Sequence, residues 1–483
     1  MDYESAPSGT LRQKVLQGSL YLMGRQGASV VIGLIGMFLL TRIVGPGVYG
    51  VYTAALGVFN YLIWVGLMGT HVYLIRERQD TPKEWFHLAF WWLLFWGIGL
   101  SAIVAITLLL VGHYWVRTGG FLLASITMCA MLPLSLIAYV PAAQLERELN
   151  YRRVALIEAG STLTLYTIAI PLALIGHGLL ALLAGFIASQ IWLLVGFFFA
   201  ARYRPAWYWE GGQLRTMLGY SISQAASRWI YGVRNLAPSL LVLPLAGEAA
   251  AGYLAITDRL IGILSVAIYT TQRITVPAFA RIQDNLPRLR RAVNEAMQLQ
   301  TLALGLFFVG FVLVSPYALP RLLGAKWDPS LILPLFVILA VRHLLAALFG
   351  VQGSALYVKK ENLTMLYANI AFAITFGLLA TVLMIGLPPS YRLYGYLAAE
   401  FIAHLPNYLI IDRRIRKVIG SPDYRIVALW IGAITCLLIA PLVSWWFSLA
   451  GALLLLSPPS RRQIAQHYKE LRRYRDRETL FDE

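Results

Sequence analysis

The amino-acid sequence predicts an all-α polytopic membrane protein. Of its 483 residues, 59% are hydrophobic and only 13% are charged, and the mean hydropathy is +0.66. Soluble domains carry about 25% charged residues, so no water-soluble fold matches this composition. Apolar runs of about 20 residues recur along the chain, each long enough to cross the membrane as a helix. The first run continues past Thr41 without a small-residue cleavage site, which indicates a retained helix and not a signal peptide.

Hydrophobic runs place twelve spans clearly and leave one ambiguous segment. The stretch from Arg425 to Ser457 has 33 residues, about 50 Å as one helix, which overshoots the hydrocarbon core. Pro441 lies in its middle, and a break there gives two short spans and a total of about fourteen. The twelve clear spans are predicted at residues 15–41, 48–75, 85–112, 120–143, 154–176, 179–201, 216–243, 249–274, 292–315, 331–357, 362–386 and 392–411.

Lysine and arginine residues test this count because they remain on the cytoplasmic side of short loops. With fourteen spans the basic residues fall in alternate loops, whereas thirteen spans would place the basic C-terminal tail outside. The sequence therefore predicts fourteen spans, with both termini cytoplasmic. The predicted cytoplasmic loops hold Arg76, Arg78, Lys83, Arg147, Arg152, Arg153, Arg202, Arg204, Arg215, Arg281, Arg288, Arg290, Arg291, Lys359, Lys360, Arg413, Arg414, Arg416, Lys417 and Arg425. The opposite loops hold Arg42, Arg117, Arg321, Lys326 and Arg392.

A weak internal repeat divides the chain into two halves. A shift of 203 residues lays Arg25 on Arg228, and a shift of 202 lays Gly50 beside Gly252. Parallel repeats of six spans are typical of transporters whose two lobes rock about a site at the midplane of the membrane. The predicted organisation is a cytoplasmic N-terminal tail (1–11), an N-lobe (12–204), a C-lobe (205–418), two further helices (419–457) and a basic cytoplasmic tail (458–483).

Two segments outside the spans carry interfacial signals. The stretch from Pro205 to Gln213 contains Trp207, Tyr208 and Trp209, which favours an aromatic anchor that links the halves. In the basic tail, Ile464, Tyr468 and Leu471 follow helical spacing, so the tail can lie as an amphipathic helix on an anionic leaflet. A solvated, frayed tail is the alternative.

Arginines within the apolar runs are the candidate substrate-binding residues, because a charge at the centre of the bilayer costs about 2.5–3.5 kcal/mol on insertion scales. Arg25 and Arg228 each lie about 15 Å from the start of their span. On the seventh span a polar stripe shares one helical face with Arg228. This stripe either lines a water-filled cavity or makes hydrogen bonds to neighbouring helices. Its members are Ser221, Gln224, Arg228, Tyr231 and Asn235.

Other ionisable residues in the spans are weaker candidates. Arg234 projects about 120° away from Arg228 and is predicted to serve the outward mouth. Arg259 follows as a further candidate for substrate binding. For Arg259 and for five more ionisable residues, interhelical pairing or a place near the lipid headgroups explains the residue at least as well. The five are Asp258, Arg342, His343, Glu400 and His404.

Several function classes are excluded or made improbable by the sequence. No G-x-x-x-x-G-K-[ST] phosphate loop occurs, so the chain does not hydrolyse ATP by that route. No H-E-x-x-H or paired-cysteine motif indicates a metal or another cofactor. Cys129 and Cys436 lie in separate apolar runs and are interpreted as small core residues. Alternation of basic loops across the membrane accounts for the net charge of +17 without a nucleic-acid partner.

Three motifs, in order, resemble the Wzx-like polysaccharide flippases of the multidrug/oligosaccharidyl-lipid/polysaccharide exporter superfamily. The stretch from Thr41 to Tyr52 is similar to the family's turn between its first two helices, although Gly47 and Val48 replace the usual acidic pair. The stretch Gly252–Ala255 resembles the start of the eighth helix. Val276–Arg281 is similar to the proline motif before the central basic loop. The resemblance covers essentially the whole chain and implies a V-shaped architecture like that of multidrug-and-toxin exporters.

The resemblance implies a transporter and not an enzyme. Its substrate would be an undecaprenyl-pyrophosphate-linked oligosaccharide, flipped from the cytoplasmic to the outer leaflet for surface polysaccharide synthesis. Membrane lipids and the glycosyltransferases and polymerase of the pathway are the partners that this role implies. The alternatives are a multidrug antiporter of the same superfamily, which usually needs intramembrane acids, and a polysaccharide polymerase or ligase, which needs a large outward loop.

Overall fold

The computed structural model describes residues 8–76, 84–115 and 119–478, and within these ranges it contains helices and no strand. Its description leaves out the side chains of residues 8–31, 111–115, 119, 220, 222–228, 231, 266–267, 269–274 and 470–478. In the described part, eight helices are long and apolar enough to cross a membrane, and shorter apolar helices cover residues 233–246, 425–439 and 446–455. The predicted all-α polytopic class is confirmed, whereas the count of fourteen spans stays a prediction.

The helices follow the chain in this order: α1 (Ser8–Leu67), α2 (Thr70–Arg76), α3 (Glu84–Trp115), α4 (Gly119–Ala130), α5 (Leu132–Arg147), α6 (Tyr151–Leu174), α7 (Gly178–Ala201), α8 (Gly211–Gly232), α9 (Leu243–Ala246), α10 (Glu248–Leu264), α11 (Val266–Arg281), α12 (Leu286–Leu323), α13 (Pro329–Val358), α14 (Asn362–Gly386), α15 (Arg392–Val418), α16 (Arg425–Ile439), α17 (Trp446–Leu455) and α18 (Pro458–Glu478). A 3-10 turn (Val233–Leu236) and a π-helical segment (Pro238–Val242) separate α8 from α9.

Several predicted spans are interrupted in the structure. The fourth divides into α4 and α5, the eighth into α10 and α11, and the seventh passes through 3-10 and π geometry before α9. The expected break near Pro441 is confirmed, because α16 ends at Ile439 and α17 begins at Trp446. The predicted segment 362–386 coincides with α14.

The motif at residues 41–52 forms the turn that its sequence predicts. Gly45 has a φ of 79° and a ψ of 175°, so α1 consists of two helices that meet at Gly45 and Pro46. Only glycine adopts this backbone conformation without strain. The break removes helical partners from carbonyl groups, and side chains of a later loop replace them: Trp327 Nε1 donates to Thr41 O at 2.9 Å, and Lys326 Nζ donates to Ile43 O.

Contacts divide the chain into two compact units. The first comprises residues 1–252 and 322–327, and the second comprises residues 253–321 and 328–483. In the first unit, α6 packs along α7 and α1 packs on α6. In the second unit, α14 packs along α15, and α13 contacts α11, α15 and α16. The lobes predicted from the repeat are bodies that would move during transport. Contacts alone do not test their boundaries, which stay a prediction.

Within the first unit, the aromatic linker after α7 attaches to α3. Trp91 Nε1 donates to the carbonyl oxygen of Ala206 at 2.9 Å. The ring of Trp91 lies 4.9 Å from that of Trp207, edge to face. Trp207 and Trp209 remain exposed. These contacts suit the predicted aromatic anchor, since indole rings favour the membrane–water interface.

Within the second unit, the C-terminal helix α18 docks through polar residues. Trp430 Nε1 on α16 donates to Ser460 Oγ at 2.8 Å. On α12, Gln298 Oε1 accepts from Gln463 Nε2 at 3.0 Å and lies 2.8 Å from His467 Nε2. Ile464 and Tyr468, from the predicted apolar stripe, are exposed. The polar residues therefore face the protein, and contact of the stripe with a leaflet stays a prediction.

Candidate functional site

The seventh span is discontinuous at the position where substrate binding was predicted. Pro238 has no backbone N–H, so it cannot donate to the carbonyl oxygen of Arg234 four residues earlier. The chain tightens before the proline into the 3-10 turn, in which Ala237 N–H bonds to Arg234 O instead. After the proline it widens into the π-helical segment. Mid-helix departures of this kind often mark functional hinges, and discontinuous helices form substrate sites in many transporters.

The discontinuous span packs against the second part of α1, residues 46–67, in the first unit. Ser239 Oγ donates to the carbonyl oxygen of Ala54 at 2.6 Å. Trp229 Nε1 donates to Trp64 O at 3.0 Å. A Cβ added to Gly57 would lie 2.9 Å from the carbonyl oxygen of Asn235. We call this line of contacts the α1–α8 seam; it includes the 3-10 and π segments after α8 and extends to Gly252.

The tightest contact in the seam joins Gly50 of α1 to Gly252 of α10. A Cβ added to Gly50 would lie 2.5 Å from the amide nitrogen of Gly252 and would overlap the carbonyl oxygen of Glu248. A Cβ added to Gly252 would overlap the carbonyl oxygen of Pro46. Backbone meets backbone here, which only glycine permits. These two glycines are the ones that the internal repeat aligns.

The structure places the predicted substrate-binding residues on the expected elements but describes few of their side chains. Arg25 lies in α1, and Gln224 and Arg228 lie in α8 together with Tyr231; all four side chains fall outside the description. Of the stripe, Ser221 is fully buried, and its hydroxyl has no hydrogen-bond partner among the described residues. Whether the arginines share a cavity stays a prediction.

The other predicted residues are described. Arg234 and Asn235 are half-buried in the 3-10 turn. Successive residues rotate about the axis by about 120° in a 3-10 turn and by about 100° in an α-helix. The α-helical spacing that placed Asn235 on the same face as Arg228 therefore does not hold through this turn. Arg259 is exposed on α10, in the second unit.

A buried ion pair joins α13 to α15 in the second unit. Arg342 Nη1 lies 3.1 Å from Glu400 Oε1, and their side chains are 4% and 6% exposed. Arg342 Nη2 also lies 3.1 Å from His343 Nδ1, and His404 Nδ1 lies 2.7 Å from the carbonyl oxygen of Glu400. The interhelical pairing that was one interpretation of Arg342 and Glu400 is therefore observed. Such a pair locks helices together and needs no substrate.

One arrangement in the first unit was not anticipated. The start of α6 and the end of α7 enclose a cavity of about 690 Å³, and three of its lining residues are Arg153, Arg202 and Arg204. The sequence showed these arginines only as charges of two predicted cytoplasmic loops. The available signal was that both loops border neighbouring spans, 154–176 and 179–201, whose ends lie on the same side of the membrane.

With the fold and these sites described, comparison with known proteins decides the family. A family profile described as "Polysaccharide biosynthesis protein" matches residues 39–332. The chain belongs to this family. The match begins shortly before the Gly45 kink and extends to the start of α13, so it contains the whole α1–α8 seam.

Two relatives extend the likeness. The chain is 24% identical to the lipopolysaccharide biosynthesis protein WzxC of Escherichia coli (strain K12) over 444 residues, which covers 87% of this chain and 85% of WzxC. It is 24% identical over 295 residues to the succinoglycan biosynthesis transport protein ExoT of Rhizobium meliloti (strain 1021), covering 60% of this chain and 58% of ExoT. The resemblance to Wzx-like proteins is thereby confirmed.

Solved structures show the same fold. The structure of the lipid II flippase MurJ in an inward closed conformation matches with a TM-score of 0.70 and 15% identity, covering 94% of this chain and 99% of that chain. An inward-facing multidrug transporter of the MATE family, in the MOP superfamily, matches with a TM-score of 0.63 and 15% identity, covering 80% and 95%. The predicted MATE-like helical fold is confirmed by both.

Proposed function

We propose that this protein flips a lipid-linked oligosaccharide, carried on undecaprenyl pyrophosphate, from the cytoplasmic to the outer leaflet of the bacterial inner membrane. The family match across residues 39–332 carries the proposal. The names of WzxC and ExoT, which refer to polysaccharide biosynthesis and to transport, support it. No covalent step is required. The pathway's glycosyltransferases supply the substrate, and its polymerase consumes the flipped product.

The physical task is to move a large polar headgroup past hydrocarbon while its lipid tail stays in the bilayer. Transfer of an unpartnered polar or charged group into an apolar medium is prohibitive. A cavity with midplane arginines offsets this cost, because guanidinium groups form paired, charge-assisted hydrogen bonds to phosphate oxygens. We assign this role to Arg25 and Arg228. Gln224, Tyr231, Asn235, Arg234 and Arg259 are the further candidates for contact with the headgroup.

Alternating access requires the outward and inward ends of the cavity to open in turn. The α1–α8 seam is the element we assign to one of these closures, since it joins two positions that the internal repeat relates. In this proposal the two predicted lobes rock about the midplane site, and the seam separates when the headgroup leaves. The hinge for that motion is the 3-10 and π interruption between α8 and α9.

The experiment that tests the proposal is deletion of the gene followed by complementation. Deletion should abolish the surface polysaccharide and leave a lipid-linked oligosaccharide on the cytoplasmic face, where an impermeant label cannot reach it. The intact protein should restore both. A normal surface polysaccharide in the deletion strain, with no lipid-linked intermediate accumulated, contradicts the proposal.

A multidrug antiporter is the second candidate, because the fold also matches a MATE transporter with a TM-score of 0.63. Ion exchange in such antiporters usually needs available intramembrane acids, whereas Glu400 is already engaged by Arg342. This candidate predicts drug sensitivity in the deletion strain with unchanged surface polysaccharide, so the same strain separates the two functions. A polymerase or ligase would instead leave the flipped, unpolymerised intermediate exposed to the impermeant label.

A further inference from the structure

We propose that the cavity between the start of α6 and the end of α7 binds the phosphate headgroup of a lipid, whose hydrocarbon chain lies along Phe199 and Leu156. The site is separate from the Arg25 and Arg228 positions. The proposal concerns binding and does not depend on flipping. If the bound lipid is the isoprenoid carrier, it rests in addition on the proposed function.

The first observation is the cavity itself. It has a volume of about 690 Å³, within the range of about 300–1,000 Å³ found for small-molecule sites. Two elements build it: the first turns of α6 on one side, and the last turn of α7 with the three residues that follow on the other. These helices pack along one another, so their two ends hold the cavity walls in place.

The second observation is its concentration of positive charge. Arg153 Nη1 donates to the carbonyl oxygen of Ala200 at 3.1 Å, which fixes the guanidinium at the cavity wall while its other N–H groups remain as donors. Arg202 and Arg204 are exposed at the mouth. Within residues 8–76, 84–115 and 119–478, neither of these two forms an ion pair with a carboxylate. Three arginines therefore line one cavity, each with N–H groups left to donate.

The backbone and the remaining polar residue of the cavity are compatible with an anion. The start of α6 has no side-chain cap, because Asn150 makes no capping hydrogen bond, and a helix N-terminus favours negative charge. Tyr203, which also lines the cavity, donates to the carbonyl oxygen of Phe86 at 3.1 Å. Burial raises the pKa of Tyr203, so its side chain stays neutral and adds no charge that opposes an anion.

The third observation is apolar surface directly beside the arginines. Phe199 is 85% exposed and Leu156 is 53% exposed, and both line the cavity. Leu156 lies three residues after Arg153 on α6, about 4.5 Å in rise. Phe199 lies in the last turn of α7, three residues before Arg202, which directly follows the helix. A free anion in the cavity would leave both apolar side chains in water. A lipid places its phosphate against the arginines and its hydrocarbon chain against the apolar wall. It therefore matches both the charged and the apolar surface of the cavity.

Two sources supply this chemistry: an anionic phospholipid of the surrounding leaflet, and an isoprenoid phosphate or pyrophosphate. Both carry a phosphate next to a hydrocarbon chain, and both belong to the membrane that the predicted basic loops face. Guanidinium groups bind phosphate in bidentate geometry in either case. The experiment distinguishes them.

The test measures lipid binding to the purified full-length protein in neutral phosphatidylcholine nanodiscs. The ligands are phosphatidylglycerol, cardiolipin, undecaprenyl phosphate and inorganic pyrophosphate, each in a separate titration. The charge variant is Arg202→Gln with Arg204→Gln, and Arg204→Gln alone is the milder form. The matched control is Arg215→Gln with Arg288→Gln, which removes the same charge from exposed positions in the first turns of α8 and α12, outside the cavity.

The double cavity variant should bind the preferred lipid at least about tenfold more weakly, because charge-assisted hydrogen bonds to phosphate are lost. The control variant should bind as the unchanged protein does. Phe199→Ala should weaken binding of the lipid and leave any binding of inorganic pyrophosphate unchanged. A preference for phosphatidylglycerol or cardiolipin identifies a leaflet phospholipid, and a preference for undecaprenyl phosphate identifies the carrier; either result supports the proposal.

Three results would overturn it. Equal weakening by the control pair would show general attraction of the basic loops for anionic lipid and no site. Binding of pyrophosphate as tightly as lipid, with no effect of Phe199→Ala, would show an anion site without a lipid chain. Unchanged lipid binding by both arginine variants would show that Arg202 and Arg204 take no part in binding. The proposed function expects Arg228→Ala to block flipping, but this variant should still bind lipid in the α6–α7 cavity. Failure of one proposal can therefore be told apart from failure of the other.

Discussion

Gly50 and Gly252 lie backbone to backbone, with the position of a Cβ on Gly50 only 2.5 Å from the amide nitrogen of Gly252. The same two residues are aligned by the repeat shift of 202. In the predicted two-lobe organisation, positions that the repeat relates would meet near a pseudo-symmetry axis. The contact at one end of the α1–α8 seam is therefore where that organisation expects the two repeats to come together.

Replacement of Gly252 by alanine tests how tightly this contact is packed. The new methyl group would overlap the carbonyl oxygen of Pro46, and backbone cannot yield as a flexible side chain does. We expect Gly252→Ala to lower the free energy of unfolding by about 1–3 kcal/mol and to reduce transport. Thermal unfolding of purified protein and export of surface polysaccharide are the measurements.

Gly262→Ala is the control, because Gly262 lies on the same helix α10 and, outside the helix's own backbone, no atom of the described side chains and neighbouring segments lies within 4 Å of an added Cβ. It should be neutral or slightly stabilising, since alanine favours a helix over glycine by up to about 1 kcal/mol. Equal behaviour of the two variants would show that the seam is not closely packed.

The Arg342–Glu400 pair makes a prediction about stability and not about transport. Arg342→Ala or Glu400→Ala alone breaks a buried ion pair, which costs about 3–5 kcal/mol, and the amount of folded membrane protein should fall. The double variant removes both charges and should recover part of the loss. Single variants as stable as the unchanged protein would show that the pair does not hold α13 to α15.

Tyr424 joins three segments at the loop before α16. Its hydroxyl donates to Asp412 Oδ1 at 2.5 Å and accepts from Gln352 Nε2 at 2.8 Å. Tyr424→Phe removes the hydroxyl that bonds to Asp412 and Gln352, and should lower the free energy of unfolding by about 1–3 kcal/mol. Burial and, to a lesser degree, the hydrogen bond to Asp412 raise the pKa of Tyr424. The phenol therefore stays protonated near neutral pH, and the loss of unfolding free energy in Tyr424→Phe should not vary with pH there.

The exposed Tyr391 gives the control for this substitution. Tyr391→Phe should leave thermal unfolding unchanged, because only a solvent-exposed hydroxyl is removed. An equally small effect of Tyr424→Phe would assign the Asp412 and Gln352 contacts no part in stability.

Some of this architecture follows from sequence, and the reasons are physical. The ends of α14 and the break near Pro441 were predictable, because apolar length and proline determine them locally. Interhelical pairing was one of two interpretations of Arg342 and of Glu400, since a charge inside a span needs a partner; that the two pair with each other was not predicted. Gly232 and Pro238 were signals for the interruption of the seventh span, but the polar periodicity pointed to one continuous helix.

Other features depend on how distant segments meet. The repeat aligned Gly50 with Gly252, yet alignment does not say that two positions touch. The arginines of the α6–α7 cavity were visible as topology signals only, because the cavity exists through the packing of two helix ends. The polar docking of α18 was missed because Gln298, its partner on α12, lies 165 residues before Gln463.

Arg25 and Arg228 remain the sequence-based candidates for the pyrophosphate. Arg228→Ala should abolish export at an unchanged level of membrane protein, and Arg228→Lys should restore only part of it, because lysine keeps the charge and loses the bidentate geometry. Arg25→Ala should behave like Arg228→Ala. Full export by both alanine variants, or loss only in proportion to lost protein, would refute the substrate role.

We propose that the chain flips a lipid-linked oligosaccharide by opening the α1–α8 seam. Ser239 Oγ contacts Ala54 O at 2.6 Å, so Ala54→Cys with Ser239→Cys, in a protein whose Cys129 and Cys436 are replaced by alanine, can fasten the seam with a disulfide. Ser135→Cys with Gln190→Cys is the control, since Ser135 Oγ donates to Gln190 Oε1 at 2.9 Å and both residues lie in the predicted N-lobe. Formation of each disulfide is verified by its shift on a non-reducing gel before transport is measured. Transbilayer movement of a labelled lipid-linked oligosaccharide is then measured in proteoliposomes. Oxidation should stop movement in the seam variant, a reductant should restore it, and the control should move substrate in both conditions. Undiminished movement with the seam disulfide formed would contradict it.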